Sequence, residues 1–291
     1  MKGFKRLGIF LLTNLLVMTM LSVVMSFINV PMDQLWGLLI MCAVFGFGGS
    51  LISLLMSKFM VKMAYKVQLV DPASASGKLR FVVDTLARMA EYHKIRMPEV
   101  GVFPSDAPNA FATGASKNKA LIAFSSGLLA SLSEDEIAAV AGHEMTHVIE
   151  GDMVTMSLMM GLVNTFVMFL ARVLAFALDM ALRDNRGRGG LGYFGYMLVV
   201  IVLQNVLMLL AYIPISYFSR QREFRADAGA AKLVSPGAMI DALKGISGNR
   251  QPVSSKATAA DMAMIDNKRK VSLFSTHPSI EARIERLQKL L

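Results

Sequence analysis

The chain has 291 residues, of which 54% are hydrophobic and only 18% are charged, and its formal net charge is +9. An ordinary soluble domain contains far less apolar sequence, so the composition indicates a membrane protein. The basic residues cluster at the ends of apolar stretches and not along a face with interleaved aromatic residues, which argues against nucleic acid as a partner.

Four uncharged stretches are long enough to cross a membrane as helices, because about 20 helical residues span the hydrocarbon core. They are Leu7–Met32, Gln34–Ser57, Met153–Ala171 and Gly189–Ser219. The first stretch is longer than the apolar region of a signal peptide and contains no small-residue cleavage pattern. We therefore interpret it as a retained membrane anchor.

The charges that flank the first two spans predict an orientation. Three basic residues precede the first span and three lysines follow the second, namely Lys2, Lys5, Arg6, Lys58, Lys62 and Lys66. By the positive-inside rule, the N-terminus and the sequence after the second span face the cytoplasm. The basic turn Arg183–Arg188 opposes this rule. The second pair of spans therefore either crosses the bilayer, which we favour, or is only partly embedded in it.

The remaining sequence forms two segments that together supply one mixed α/β domain. We expect two transmembrane helices in residues 1–57, the first segment of this domain in 58–152, a second hydrophobic helix pair in 153–219 and the second segment of the domain in 220–291. Apolar residues at helical spacing predict a helix over Gly77–Arg96, and short apolar runs predict strands at Val100–Phe103 and Ala120–Phe124.

The pentapeptide His143-Glu144-Met145-Thr146-His147 is the most informative motif. Residues four apart share a helix face, so His143 and His147 can bind one metal ion while Glu144 reaches a water in its open position. A capping box of Ser133 and Glu136 predicts where this helix begins. Two ordinary surface histidines are the alternative, but a chain with only four histidines rarely matches this motif by chance.

A catalytic zinc ion needs a third protein ligand and an open position. A histidine six residues after His147 would supply that ligand in one class of zinc protease, but Met153 occupies this position. On a helix predicted over Tyr217–Leu233, Glu223 and Asp227 are one turn apart. Glu223 can therefore bind the metal while Asp227 hydrogen-bonds the far nitrogen of a liganding histidine. A solvated helix face is the alternative interpretation of this pair.

Several motifs together resemble the HtpX-type membrane zinc metalloproteases, which are related to the CAAX prenyl proteases. The motifs are Asn109–Gly114, Gly142–His147, Glu223–Asp227 and Thr276–Pro278. The resemblance implies a gluzincin fold, one zinc ion per chain, and proteolytic quality control of damaged membrane proteins in the bacterial inner membrane. It also implies a lipid bilayer, misfolded membrane-protein substrates and other quality-control proteases as partners.

The resemblance further implies roles for residues outside the metal motif. Asn109, Ala110 and Phe111 would border the cleft and pair with the substrate backbone. His277 and Arg283 would stabilise charge in the transition state, although a histidine before Pro278 is also an ordinary helix start.

The expected fold class is an α-rich α+β membrane protein, with four transmembrane helices and a cytoplasmic gluzincin-type domain that carries a small β-sheet. The expected activity is hydrolysis of internal peptide bonds with Glu144 as general base. Two alternatives stay open. Prenyl-peptide processing would need more than four spans to form its cavity, and a zinc-stabilised holdase would need a structural site, which usually has four protein ligands, often cysteines.

Overall fold

The computed structural model describes residues 35–184, 189–248 and 275–291. The predicted first span, Leu7–Met32, therefore lies outside the described residues. The described residues divide into two compact units, one within the ranges 1–52 and 157–213 and the other within the ranges 53–156 and 214–291.

The helices and strands of the described residues follow one another in this order: α1 (Leu35–Tyr65), β1 (Gln68–Leu69), α2 (Gly77–Tyr92), β2 (Glu99–Phe103), β3 (Ala110–Gly114), β4 (Ala120–Ser125), α3 (Ser126–Ser131), α4 (Glu134–Glu150), α5 (Asp152–Ala181), α6 (Gly192–Leu233), α7 (Pro236–Gly248) and α8 (Ile280–Gln288). A short 3-10 helix at Lys117–Lys119 precedes β4.

Among the described residues, three helices are long and apolar enough to cross a membrane, namely α1, α5 and α6. They cover the second, third and fourth predicted spans, and each extends beyond the predicted end. The fourth span and the helix predicted over Tyr217–Leu233 form one continuous helix, in which Pro214 is an interior residue. The segment after Pro214 contains several alanines, which have the highest helix propensity, so the helix continues.

Within the first unit, the helices approach closely at small residues. A Cβ atom added to Gly46 of α1 would lie 2.9 Å from the carbonyl oxygen of Gly161 and 2.8 Å from the nitrogen of Thr165, both on α5. Glycine therefore allows these two backbones to approach, as is common between helices in membranes. One cluster of buried apolar residues in this unit contains Leu38, Cys42, Val167, Met168 and Met208.

The second unit contains a four-stranded sheet with the strand order β1-β2-β4-β3. Strand β2 is parallel to β4, whereas β1 is antiparallel to β2 and β3 is antiparallel to β4. The predicted strands correspond to β2 and β4. Strands β1 and β3, which the sequence analysis did not predict, form the two edges of the sheet.

One face of the sheet packs against helices α2, α4 and α7 to form the main core. Its buried residues include Val100, Ala110, Ile122 and Phe124 from the strands, together with Leu86, Val140, Met145 and Leu243 from the helices. Helix α2 ends at Tyr92, four residues before the predicted end, because the chain turns at Lys94 with a positive φ of 52°. The core therefore fixes α4 directly beneath the sheet.

Candidate metal centre

Helix α4 carries the pentapeptide into the interior of the second unit. The predicted capping box is present, since the side chain of Glu136 accepts a hydrogen bond from the Ser133 nitrogen at 2.7 Å. The helix ends at Gly151, whose φ of 69° is left-handed and favours glycine. The residues His143, Glu144 and His147 are buried, with relative exposures of 1%, 3% and 9%.

Close packing between α4 and α6 brings the third predicted ligand to these histidines. A Cβ atom on Gly142 would lie 3.3 Å from the Cα atom of Ala230, and a Cβ atom on Gly229 would overlap the side chain of Thr146. The two helices can approach this closely only because both contact positions are glycine. The approach places Glu223 of α6 beside the paired imidazoles.

Three side chains converge on one point. The Nε2 atom of His143 lies 3.6 Å from Glu223 Oε2, and the Nε2 atom of His147 lies 3.5 Å from Glu223 Oε1. One ligand atom from each of the three residues lies within 4.8 Å of the others. Two imidazole nitrogens and one carboxylate form the donor set of a catalytic metal site, which leaves one position of a tetrahedron for water or substrate.

The nitrogen of His143 that faces away from the ligand cluster contacts a carboxylate, and this carboxylate is bound by an arginine. The Nδ1 atom of His143 lies 3.0 Å from Asp227 Oδ1, as the sequence analysis expected of Asp227. Arg283 of α8 donates two hydrogen bonds to Asp227, at 2.6 and 2.8 Å. This arrangement fixes the imidazole so that Nε2 faces the ligand cluster.

Arg283, for which the resemblance implied a role in stabilising transition-state charge, binds a carboxylate of the candidate metal centre. Its side chain is only 4% exposed, and its guanidinium group binds the carboxylate of Asp227. A buried guanidinium needs such a partner, because an unpaired charge in the interior is strongly destabilising. These hydrogen bonds hold the Asp227 carboxylate beside Nδ1 of His143.

A second carboxylate, which the sequence analysis missed, holds His147. The Nδ1 atom of His147 lies 2.6 Å from Oδ2 of Asp152, a buried residue that begins helix α5. The side chains of Arg222 and Arg225 lie 3.9 and 3.8 Å from the same carboxylate. The available sequence signal was an acidic residue directly after the helix-ending Gly151, but its contact with His147 depends on how the chain turns there.

The charges around His143 change its protonation. Burial acts to lower the pKa of His143, but hydrogen bonds with Asp227 and Glu223 outweigh burial and raise this pKa to about 9. In the metal-free protein the imidazole is therefore protonated at neutral pH, and a metal ion has to displace that proton.

His277 lies at the partly exposed side of the cluster. Its Nδ1 atom is 3.0 Å from Glu223 Oε2, and its side chain is 22% exposed. Arg222 also contacts Glu223, because its Nη2 atom donates a hydrogen bond to Oε1 at 3.0 Å. The structure thus brings His277 to the ligand cluster, where an imidazole can reach solvent and substrate.

The predicted substrate-binding residues lie at and just before β3. Asn109 and Ala110 are buried, whereas Phe111 is partly exposed. The Ser125 nitrogen donates to the Asn109 oxygen at 2.8 Å, so the backbone of Asn109 faces β4. Because these directions alternate in an antiparallel pair, the backbone of Phe111 also faces β4. Ala110 and Ala112 direct their N–H and C=O groups to the other side of β3, which we call the open edge because no strand of the described residues pairs with it.

The fold and the ligand cluster define a metalloprotease with an HExxH helix and a glutamate ligand on a distant helix. A family model described as Peptidase family M48 matches residues 73–291. The chain belongs to peptidase family M48. It is a membrane metalloprotease, and the predicted resemblance to the HtpX-type proteases is confirmed.

Relatives with similar sequences cover nearly the whole chain. Protease HtpX of Aeromonas hydrophila is 47% identical over 292 residues, which cover 98% of this chain and 99% of the relative. Protease HtpX of Shewanella oneidensis is 45% identical over 288 residues, with the same coverage. Among solved structures, S. mikatae Ste24p is similar with a TM-score of 0.60 and 20% identity, over 97% of this chain and 62% of that one. The chain thus spans less than two thirds of that protein's length, and the similarity concerns the fold.

Proposed function

We propose that this protein is a zinc-dependent endopeptidase, in which His143, His147 and Glu223 bind one zinc ion. The observation that carries the proposal is the convergence of three buried ligand atoms, with a carboxylate behind each imidazole. Within the described residues, this group contains three protein ligands. A structural zinc site would usually have four, so the donor set supports catalysis rather than a zinc-stabilised holdase.

When bound, zinc would lower the pKa of water toward 7 and polarise the scissile carbonyl group. Glu144 follows His143 on α4 and accepts a proton from the attacking water as general base. The water oxygen bonds to the carbonyl carbon, the carbon–nitrogen bond breaks, and Glu144 passes the proton to the leaving nitrogen. His277 donates a hydrogen bond to the oxygen on which negative charge develops.

The open edge of β3 supports an extended substrate. Ala110 and Ala112 direct backbone donors and acceptors away from β4, so a peptide strand can pair with them. A segment that has left its native fold is free to adopt this extended conformation, so edge pairing favours misfolded or unfolded proteins. The apolar helices of the protease support membrane proteins as its substrates.

We further propose a multi-pass protein of the bacterial inner membrane with four transmembrane helices and the catalytic residues on the cytoplasmic side. Two of these helices lie in residues 1–57 and two in residues 153–219. The catalytic domain is formed by residues 58–152 and 220–291. The basic residues before the first span and the lysines near the end of α1 support this orientation, whereas the basic turn Arg183–Arg188 opposes it.

The test is to purify the full chain in detergent, measure its zinc content, and compare cleavage of an unfolded membrane protein with cleavage of a prenylated peptide. We expect one zinc per chain and cleavage of the unfolded protein. Glu144→Gln should retain zinc and lose at least about 100-fold in cleavage rate, because the general base is absent. Normal cleavage by Glu144→Gln would contradict the mechanism, and exclusive cleavage of the prenylated peptide would contradict the substrate class.

A further inference from the structure

Three aromatic side chains form a cluster on the face of the sheet opposite the main core. We refer to Tyr65, Phe103 and Phe111 as the aromatic cluster. Their ring centroids are 5.6 Å apart for Tyr65 and Phe103, 5.4 Å for Tyr65 and Phe111, and 5.3 Å for Phe103 and Phe111. Phe103 is buried, but Tyr65 and Phe111 are partly exposed. The solvent-accessible part of the cluster therefore belongs mainly to Tyr65 and Phe111.

The strand register explains why these rings meet. Phe103 of β2 is opposite Ser125 of β4, and Phe111 of β3 is opposite Ala123 of β4. Side chains alternate between the two faces of a sheet, so these four residues share one face. The small side chains of Ala123 and Ser125 leave room for a ring between β2 and β3. Tyr65, the last residue of α1, contacts the rings on both sides of that space.

Ion pairs fix the end of α1 to the sheet. The amino groups of Lys58 and Lys62 lie 2.6 and 2.8 Å from the carboxylate of Glu99, the first residue of β2. Tyr65 is therefore held against the sheet by contacts of its own helix as well as by its ring. Its ring contacts both Phe103 and Phe111 on this face of the sheet.

Phe111 occupies one of the positions on β3 at which a strand paired with the open edge would come closest. Its backbone groups face β4, so toward the open edge it is a non-hydrogen-bonded position. Opposite residues at such positions have Cα atoms about 4.5 Å apart, and their side chains are in direct contact. In the described part of the chain, no strand pairs with this edge.

We propose that Phe111 and Tyr65 form a substrate subsite that selects a large apolar side chain, preferably an aromatic one, at one fixed position of an extended peptide. This inference rests on the proposed endopeptidase function and names a determinant of its specificity. A ring opposite Phe111 gains cross-strand contact, whereas a charged side chain there loses hydration without gaining a partner. The two neighbouring substrate residues point to the other face and do not enter this subsite.

The experiment profiles cleavage sites by mass spectrometry after the zinc-loaded full chain, in detergent, has digested a random peptide library. For the wild type we expect enrichment of aromatic and large aliphatic residues at one position relative to the cleaved bond. Phe111→Ser should reduce the preference for an aromatic residue over alanine at that position by about 3- to 10-fold. Phe111→Arg should create a preference for Asp or Glu at the same position, since opposite charges attract across strands.

A matched control is Tyr92→Ser, which removes an aromatic side chain that is 78% exposed on α2 and lies outside the aromatic cluster. Its cleavage profile should equal that of the wild type. Zinc content is measured for each variant, so that a loss of folding is recognised. If Phe111→Arg does not fold, Phe111→Leu replaces it and should shift the preference from aromatic to aliphatic residues.

The outcomes separate this inference from the proposed function. If the wild type cleaves peptides but its preference is unchanged by the Phe111 variants, the subsite is wrong and the endopeptidase function stands. If the zinc-loaded wild type cleaves none of the peptides, the proposed function fails and the subsite fails with it. A new acidic preference in Phe111→Arg supports both, because loss of folding cannot create specificity.

Discussion

His143 and His147 are each held by a carboxylate, but the two carboxylates come from different parts of the chain. Asp227 lies on the same helix as Glu223 and is bound by Arg283. Asp152 begins the helix that follows α4 and lies near Arg222. Such partners orient a ligand and increase its basicity, so both should strengthen metal binding. The two histidine ligands are therefore each oriented by a carboxylate from a different helix.

Asp152→Asn should weaken zinc affinity by about 10- to 100-fold, because the amide does not accept the Nδ1–H hydrogen bond of His147 with the strength of a carboxylate. Competition with a chromogenic chelator measures the change. Glu150→Gln is the matched control, because Glu150 is exposed, lies two residues away and contacts Arg225 but not His147. Equal affinity of Asp152→Asn and wild type would show that this contact does not position His147.

Zinc affinity should also depend on pH. His143 holds a proton up to about pH 9 in the metal-free protein, so binding releases one proton and the apparent affinity rises about tenfold per pH unit between pH 7 and 8. The same proton stabilises the metal-free fold fully below the usual histidine pKa of about 6.5, and this stabilisation is lost as pH rises through 9. Chelator titrations at both pH values provide the measurement, and a pH-independent affinity would contradict it.

At the scale of elements, the centre depends on the close approach of α4 and α6. Gly229→Ala should destabilise the second unit by about 1–3 kcal/mol and weaken zinc binding, because the added methyl group overlaps Thr146 and moves Glu223 away. Thermal unfolding with and without zinc measures both effects. The double variant Gly229→Ala/Thr146→Ala should regain part of the lost stability and zinc affinity.

Gly237→Ala serves as the control for that change, since no atom lies within 4 Å of a Cβ added at Gly237. It should leave the unfolding temperature within a few degrees of the wild type. If Gly229→Ala is as stable as Gly237→Ala and binds zinc equally well, the close approach of the two helices is not what positions Glu223.

The elements that the sequence predicted are those with a local signal. Helix α4 has a capping box and an apolar face, and strands β2 and β4 are continuous apolar runs. Strand β3 contains two alanines and a glycine, which have low strand propensity, and it exists because it pairs with β4. No local pattern could reveal it.

In the candidate site, too, residues with a local sequence signal were predicted and contacts that depend on tertiary packing were not. His143, His147 and Glu223 belong to motifs with defined spacing, and the structure brings them together. The partner of His147 depends on the left-handed turn at Gly151, and the partner of Arg283 depends on where α8 packs. These contacts are tertiary, so the sequence offered only acidic and basic residues without showing which of them meet.

At the scale of the whole molecule, the three described apolar helices identify a membrane protein, and the proposed orientation can be measured. We replace Cys42 by serine, introduce Lys94→Cys at an exposed position, and treat intact bacteria with a membrane-impermeant maleimide. Residue 94 should be labelled only after the inner membrane is opened, because it follows the lysine-rich end of α1. Labelling in cells whose inner membrane is intact would place this side outside the cytoplasm.

The most direct test of the metal centre is X-ray absorption spectroscopy at the zinc edge on the purified full chain, with zinc content measured for the wild type and for Glu223→Ala. We expect one zinc per chain, bound by two imidazole nitrogens and by oxygen ligands at about 2.0–2.2 Å, and loss of most of the zinc in Glu223→Ala. A zinc ion bound by four protein ligands, or full zinc content in Glu223→Ala, would contradict the account.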